Sequence, residues 1–266
     1  MSLADNSADR ERYVVKIGGS VLTSDDAYAY QARRIIDFYE KTNAERVYII
    51  PSARKGHTDE LINNLCKTPG DKQSLDRLLD GDYNVEEDVK RFDNTDIARY
   101  LLTGEIESAQ RFRKETSRLG VDPQSLLQGV NFPIIADDRY LFASVDLGAS
   151  EGSGVIDKIN NRIVIVPGFG AHNYNKEVVL LGRNSSDFVA ALIGHLDPLV
   201  KEVIYLKDVG GIYLDGKVKE SMTKEEYTKA GIKKVLDPRC LEYLGSYGIR
   251  VQHCESEIGE GGTVIT

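Results

Sequence analysis

Lys16 is the residue from which the chemistry of this 266-residue chain can be read. It lies near the end of the apolar run Arg12-Tyr13-Val14-Val15-Lys16-Ile17, and Gly18-Gly19-Ser20 follow at once. A β-branched run of this kind makes a buried strand, and the glycine pair makes a turn whose amides can approach a ligand closely. A lysine in so apolar a stretch is costly to bury unless an anion meets it. With a helix expected next, amides, positive helix end and ammonium converge on one place, which suits phosphate. The competing reading is a strand-end lysine that snorkels to water beside an ordinary tight turn.

Other stretches carry similar residue types. In Pro51-Ser52-Ala53-Arg54-Lys55-Gly56-His57-Thr58-Asp59, capping the next helix is the favoured role of Asp59. For Ser52 and Thr58, capping and hydrogen bonding to an anionic substrate fit equally. Glu105 is expected near the first turn of a long amphipathic helix, where the helix dipole accounts for it; the functional alternative is a receptor for a substrate ammonium group. Arg183, in Leu181-Gly182-Arg183-Asn184-Ser185-Ser186-Asp187, offers a bidentate fork for carboxylate or phosphate. Ser185 or Ser186 is expected to cap the helix that follows, with amides that form a second anion nest. Asp187 has two readings, a first-turn carboxylate that stabilises the dipole and one that also orients the lysine facing the phosphates. The loop from Tyr205 to Tyr213 suits ribose and adenine, with Lys207 beside phosphate, and Lys234 is a candidate phosphate contact. A solvated side chain is the plainer account of both lysines.

These residues follow apolar runs that read as strands: Arg12 to Ile17, Arg46 to Ile50, Phe132 to Ile135, Arg162 to Val166, Glu202 to Leu206 and Ile249 to Gln252. The runs are nearly continuous, as strands buried on both faces should be. Helix-like stretches lie between them: Ala27 to Thr42, Asp59 to Cys66, Ile106 to Leu119 and Asp187 to Leu196. The alternation predicts an α/β protein with a mostly parallel sheet between helices, and ligands bind beyond the carboxyl ends of such strands. The charged segment Lys67 to Asp96 reads as exposed helices and loops, with a lid or dimer arm as the lesser alternative.

Charged residues make up 29% of the chain and the formal net charge is -8, which argues against broad nucleic-acid binding. The first ten residues are polar and unlike a signal peptide, and no apolar stretch is long enough for a membrane span. Cys66, Cys240 and Cys254 are widely spaced and odd in number, which fits a reducing cytoplasm. There is no G-x-x-x-x-G-K-[ST], no complete dinucleotide fingerprint, no zinc-like Cys/His spacing and no G-x-S-x-G elbow.

In order along the chain, Val15-Lys16-Ile17-Gly18-Gly19-Ser20, Ser52-Ala53 with Thr58-Asp59-Glu60-Leu61, and Thr103-Gly104-Glu105 with Ser108 resemble the amino acid kinase family, most closely its aspartokinase branch. Val166-Pro167-Gly168-Phe169, Leu181-Gly182-Arg183 with Ser186-Asp187, and Asp208-Val209 with Gly211-Ile212-Tyr213 continue the series. Lys234-Val235-Leu236 and the closing Gly262-Thr263-Val264-Ile265 complete it. The resemblance implies a three-layer αβα sandwich, with an acceptor-binding lobe over 1–160 and a nucleotide-binding lobe over 161–266 of one continuous kinase domain. It implies that Lys16 neutralises the phosphoryl group in flight, that Asp187 sets that lysine or helps bind the amino acid, and that Gly18, Gly19 and Ser20 meet the phosphates. Ser52, Thr58, Glu105, Arg183, Ser185 and Ser186 are then acceptor contacts, and Lys207, Asp208, Tyr213 and Lys234 surround the nucleotide. The implied reaction is ATP-dependent phosphorylation of an amino acid side-chain carboxylate, most simply that of L-aspartate. Mg²⁺ is held mainly by the ATP phosphates. A cytoplasmic homodimer is implied, with no nucleic-acid or membrane partner.

Aspartokinases usually continue into regulatory ACT domains; this chain stops short of them, so an enzyme without feedback inhibition by lysine or threonine is expected. It also departs from the family pattern. Asn184 and Ser185 replace glycines, Arg54 and Lys55 stand where small or apolar residues are common, and Lys207 replaces a threonine. Asp237-Pro238-Arg239 falls too late to be equated with the family's Asp-Pro-Arg. Two alternatives stand beside the carboxylate reading: a phosphate or phosphonate acceptor, of the nucleoside or isoprenoid monophosphate type, and a catalytically silent nucleotide-binding module.

Overall fold

Runs of six to eight mostly apolar residues become the central strands because both their faces are covered. The computed structural model describes residues 11–232, 235–245 and 247–266. In chain order its first half comprises β1 (Arg12–Ile17), α1 (Asp25–Thr42), β2 (Arg46–Pro51), α2 (His57–Leu65), α3 (Pro69–Leu79), α4 (Glu86–Phe92), α5 (Thr95–Arg118) and β3 (Gln124–Ser125). There follow α6 (Leu147–Glu151), β4 (Ile163–Ile165), β5 (Gly170–His172), β6 (Val178–Leu180), α7 (Ser185–Leu196) and β7 (Val200–Lys207). The last elements are β8 (Tyr213–Leu214), β9 (Lys217–Val218), β10 (Ser221–Met222), α8 (Lys224–Ala230), β11 (Gly248–His253) and β12 (Thr263–Ile265).

Eight strands form one sheet in the order β10-β12-β11-β7-β1-β2-β4-β3. Every pairing in it is parallel except β11 with β12. Side chains alternate between the two faces of a strand, so β1 sends Tyr13, Val15 and Ile17 to one layer and Val14 to the other. The first layer packs Tyr28, Ala32, Ile35 and Ile36 of α1 and Ala109 and Phe112 of α5. The second packs Phe188 to Ile193 of α7, which is apolar nearly all round and buried accordingly. The result is the three-layer αβα sandwich. Arg12, Arg46 and Tyr48, at the starts of β1 and β2, gather on the fully buried Asp197 just before β7. Arg12 Nη1 lies 3.0 Å from both carboxylate oxygens and Tyr48 donates at 2.7 Å. This charged knot closes the end of the sheet opposite the cleft described below.

Three expectations change. Phe132 to Ile135 is no strand: Pro133 has no N–H to give a ladder, the Ile135 amide goes to Ser150 Oγ at 2.9 Å, and only one bridge forms, between Ile135 and His172. The segment from Lys67 to Asp96 is not merely solvated surface. Leu75, Leu78 and Leu79 lie at helical spacing on one face of α3 and build a third apolar cluster with Phe92, Leu101, Leu102, Phe169 and Leu180. Finally, α5 starts at Thr95, capped by Asn94 Oδ1 on the Ile97 amide at 3.1 Å, so Glu105 lies deep inside the helix, beyond reach of its terminal dipole. Among the described residues, no helix is long and apolar enough to cross a membrane.

Candidate active site

A cleft of roughly 950 Å³ opens at the carboxyl ends of β1, β2 and β7. Lys16 falls on the α7 side of β1, in register with Ile50 of β2 and Tyr205 of β7. Two residues beyond Tyr205 the same alternation brings Lys207 to that face. Both ammonium groups meet one carboxylate: Lys16 Nζ lies 2.5 Å from Asp187 Oδ1, and Lys207 Nζ donates to Asp187 Oδ2 at 2.7 Å. The Lys16 contact is an ion pair without the angles of a hydrogen bond, which leaves Oδ1 with no directed donor. Tyr205 OH donates to the Asp187 carbonyl at 3.0 Å and fixes the first turn of α7. Burial alone would raise the Asp187 carboxyl; the two ammonium groups reverse that and hold it at about 2. Burial also lowers Lys16 from its ordinary value, Asp187 opposes that, and the charge of Lys207 adds to it.

The turn after β1 divides its labour. The Gly18 amide donates to Leu206 O at 3.0 Å, so it serves the sheet and not a phosphate, contrary to its expected role. Gly19 is glycine for contact reasons: a Cβ there would sit 2.3 Å from Ala53 O. The amides of Gly19 and Ser20 have no acceptor among the described residues and border the cleft. Opposite them, α7 begins at Asn184, a left-handed residue (φ 61°) with no side-chain cap, so its first-turn amides also form an anion nest.

Glu105 crosses from α5 to the same cleft. Its Oε1 accepts from Ser186 Oγ at 2.7 Å, while its Oε2 is buried without a partner. Burial pushes its carboxyl up to about 7, although the Ser186 hydroxyl and the Lys16 charge pull the other way. Ser186 can pack there because residue 168 is glycine; a Cβ at that position would lie 2.7 Å from Ser186 Cβ. Ser52 and Thr58 line the cleft beside Glu105. The helix after them starts at His57 with Gly56 as N-cap, so Thr58 and Asp59 lie in its first turn and neither is the cap. Arg183 reaches the cleft with its fork already engaged: it pairs with Asp76, with Asp59 at 3.3 Å and more loosely with Asp80 at 4.0 Å.

Lys207 and Asp208 line the cleft at the end of β7. Two candidates fall outside its wall. The Ser185 hydroxyl is buried and donates to Gly182 O at 2.7 Å and Phe169 O at 3.1 Å, a structural role that also rules it out as a side-chain cap. Tyr213 begins the small hairpin β8–β9 and is 52% exposed. Lys234 lies outside the described residues. Sequence reasoning missed Arg239, whose guanidinium lies 4.7 Å over the Phe188 ring and donates to Leu181 O at 2.6 Å while Asp237 neutralises it. The Asp237-Pro238-Arg239 triplet was the available signal; its late position in the chain hid that the fold returns it to the cleft wall. Among the described residues, no group of three or more His, Cys, Asp or Glu is placed to hold a metal ion.

Comparison with known proteins agrees with this architecture. The model of the amino acid kinase family matches residues 11–252. The aspartokinase of Rickettsia felis is 29% identical over 267 residues, covering 95% of this chain and 60% of the relative. That of Chlamydia pneumoniae is 32% identical over 185 residues, covering 69% of this chain and 40% of the relative. The chain therefore spans between 40% and 60% of the length of these two curated relatives. Among solved structures, Escherichia coli aspartokinase III in complex with aspartate and ADP superposes with a TM-score of 0.76 at 21% identity, over 96% of this chain and 64% of that one. UMP kinase from Ureaplasma parvum superposes with a TM-score of 0.58 at 14% identity, over 97% of this chain and 99% of that one.

Proposed function

This chain belongs to the amino acid kinase family, and on that premise we propose that it transfers the γ-phosphoryl group of ATP to the side-chain carboxylate of an amino acid, most simply L-aspartate. The observation that carries the reading is the Lys16–Asp187–Lys207 bridge facing the open amides of Gly19 and Ser20. One carboxylate shared by two ammonium groups leaves a net positive charge, held rigidly where a terminal phosphate can enter. Phosphoryl transfer asks a protein mainly for alignment and charge neutralisation, and this arrangement supplies both.

In the proposed reaction a carboxylate oxygen attacks the γ-phosphorus, the bond to the β-phosphate oxygen breaks, and ADP leaves with the electron pair. The products are an acyl phosphate and ADP. The attacking carboxylate is already ionised at neutral pH, so no general base is required. Lys16 and Lys207 neutralise the phosphoryl oxygens in transit, and Asp187 keeps the two cations together. The open Oε2 of Glu105 receives the acceptor ammonium. Arg183 exchanges a resident carboxylate such as Asp59 for the acceptor α-carboxylate, with Ser52 and Thr58 as further donors. Mg²⁺ carried on the ATP phosphates supplies additional charge neutralisation. On this reading residues 1–160 contribute mostly to the acceptor end and 161–266 mostly to the nucleotide end. A cytoplasmic homodimer belongs to the same proposal, by family analogy.

Trapping the acyl phosphate with hydroxylamine tests the reading: aspartate hydroxamate should accumulate with ADP in equal amounts. Absence of any hydroxamate from aspartate or its near relatives rejects it. A second reading, a phosphate-bearing acceptor, is favoured by Arg54 and Lys55, exposed cations on the cleft wall with no ion-pair partner among the described residues. Glu105 opposes that reading, because a carboxylate repels a dianion but attracts an ammonium. Release of ADP with UMP and none with any amino acid would decide for the second reading.

A further inference from the structure

The charged groups of aspartate leave part of this cleft unused. Its ammonium is matched by Glu105, its α-carboxylate by Arg183 and its reacting carboxylate by the surroundings of Lys16. Most cleft cations are also ion-paired within the fold: Lys16 and Lys207 share Asp187, Arg183 meets Asp59 and Asp76, and Arg239 meets Asp237. Arg54 and Lys55 differ. Both line the cleft, both are exposed, and neither has a hydrogen-bonded or ionic partner for its side chain among the described residues.

Their backbone is not loose. The Lys55 amide donates to Gly19 O at 3.1 Å, which locks the loop after β2 to the turn after β1. The next residue, Gly56 (φ 84°), is the N-cap of the nine-residue helix α2 and offers no side-chain cap. The amides of Thr58 and Asp59 in its first turn have no acceptor among the described residues. Two cations and two open amides thus border the cleft between Arg54 and Asp59. Glu105, only 4% exposed and with its Oε2 unpartnered, lines the same cleft. Arg54 additionally borders a small hollow with Gly104, Glu107, Ser108 and Arg111 of α5.

Building on the carboxyl-kinase reading above, we propose that Arg54, Lys55 and the first-turn amides of α2 form a subsite for an additional anionic group of the acceptor. The acceptor class is an α-amino acid whose side chain carries a second anion beyond the carboxylate that is phosphorylated, a tricarboxylic amino acid being the simplest member. Such a molecule uses Glu105 and the two rim cations together, which neither plain aspartate nor a nucleoside monophosphate does.

The test measures ADP release and hydroxamate formation with L-aspartate, 3-carboxyaspartate and 4-carboxyglutamate, for the wild-type chain and for Arg54→Ala/Lys55→Ala. The wild type should favour a tricarboxylic acceptor over aspartate in kcat/KM by about five- to tenfold, the scale of two exposed charge contacts. The double variant should lose that preference through a raised KM for the tricarboxylic acceptor. Wild-type hydroxamate from aspartate with no preference for either tricarboxylic acid overturns the subsite and leaves the carboxyl-kinase reading standing. A double variant whose KM rises for ATP and for no acceptor also overturns it, because the cations then serve the nucleotide. Absence of hydroxamate from all three acids rejects both proposals together.

Discussion

Replacing Glu105 by glutamine should make the ligand-free protein more resistant to alkaline pH while crippling acceptor binding. Burial raises this carboxyl from an ordinary glutamate value of 4.5 to about 7, and neither Ser186 nor Lys16 compensates fully. Between those two values the unfolded chain has lost the proton and the folded chain retains it. Stability from this group is therefore complete below about pH 4.5 and is lost as pH rises through about 7, a difference of about 3 kcal/mol. In Glu105→Gln the uncharged amide can still accept the Ser186 hydrogen bond, and the pH-dependent loss disappears. Any fixed cost of burying the new NH₂ group shifts the curve without changing its slope. Urea unfolding of both proteins from pH 4.5 to pH 8 should show the gap between them moving by about 3 kcal/mol in favour of the variant. Acceptor affinity should move oppositely. The ammonium needs the ionised form, so the wild-type acceptor KM should rise by up to about tenfold per pH unit below 7, whereas that of Glu105→Gln should be high and flat. Parallel unfolding curves would show that the buried carboxyl is not the source of the effect and would refute the reasoning.

Two other perturbations separate chemistry from architecture. Lys16→Met should lower kcat by about 10²- to 10³-fold at saturating ATP, the loss that follows removal of one preorganised transition-state contact; ADP release within a few-fold of wild type would remove Lys16 from the reaction. Asp197→Ala should cost about 3–5 kcal/mol in urea unfolding, because Arg12, Arg46 and Tyr48 lose a common buried partner. The KM for ATP of the folded variant should stay unchanged, since Asp197 lies at the far end of the sheet.

The central sheet was legible because strands covered on both faces leave nearly continuous apolar runs, as β1, β2 and β7 do, whereas β11 alternates apolar and polar residues. What escaped was decided by a cap hidden among charged residues or by partners distant in the chain. The early start of α5 depends on the local Asn94 cap inside a charged segment that otherwise looks solvated. Phe132 to Ile135 has the composition of a strand, but a proline and a serine hydroxyl from another segment claim its ladder positions. In the candidate site, Lys16, Gly19 and Asp187 could be singled out because residue type and strand-end position coincide. The engagement of Arg183 by Asp59 and Asp76 could not be, because it leaves no local pattern, and the Asp237-Pro238-Arg239 triplet does not by itself tell that the fold returns Arg239 to the cleft.

The same physics explains why the legible residues and the costly ones coincide. A fold can bury charge cheaply only when it supplies the opposite charge, and at Asp197 it does so with two guanidinium groups and adds the Tyr48 hydroxyl as a donor. In the cleft it does not. Asp187 faces two ammonium groups and leaves a surplus of positive charge beside the open amides of Gly19 and Ser20, while Glu105 keeps one buried oxygen unpartnered among the described residues. Two opposite, unrelieved charges a few side chains apart are destabilising in the empty protein and complementary to a polyanionic donor beside a zwitterionic acceptor. Binding both substrates satisfies both groups at once, so each should tighten the other, and acceptor KM measured at rising ATP concentration should fall toward a limit.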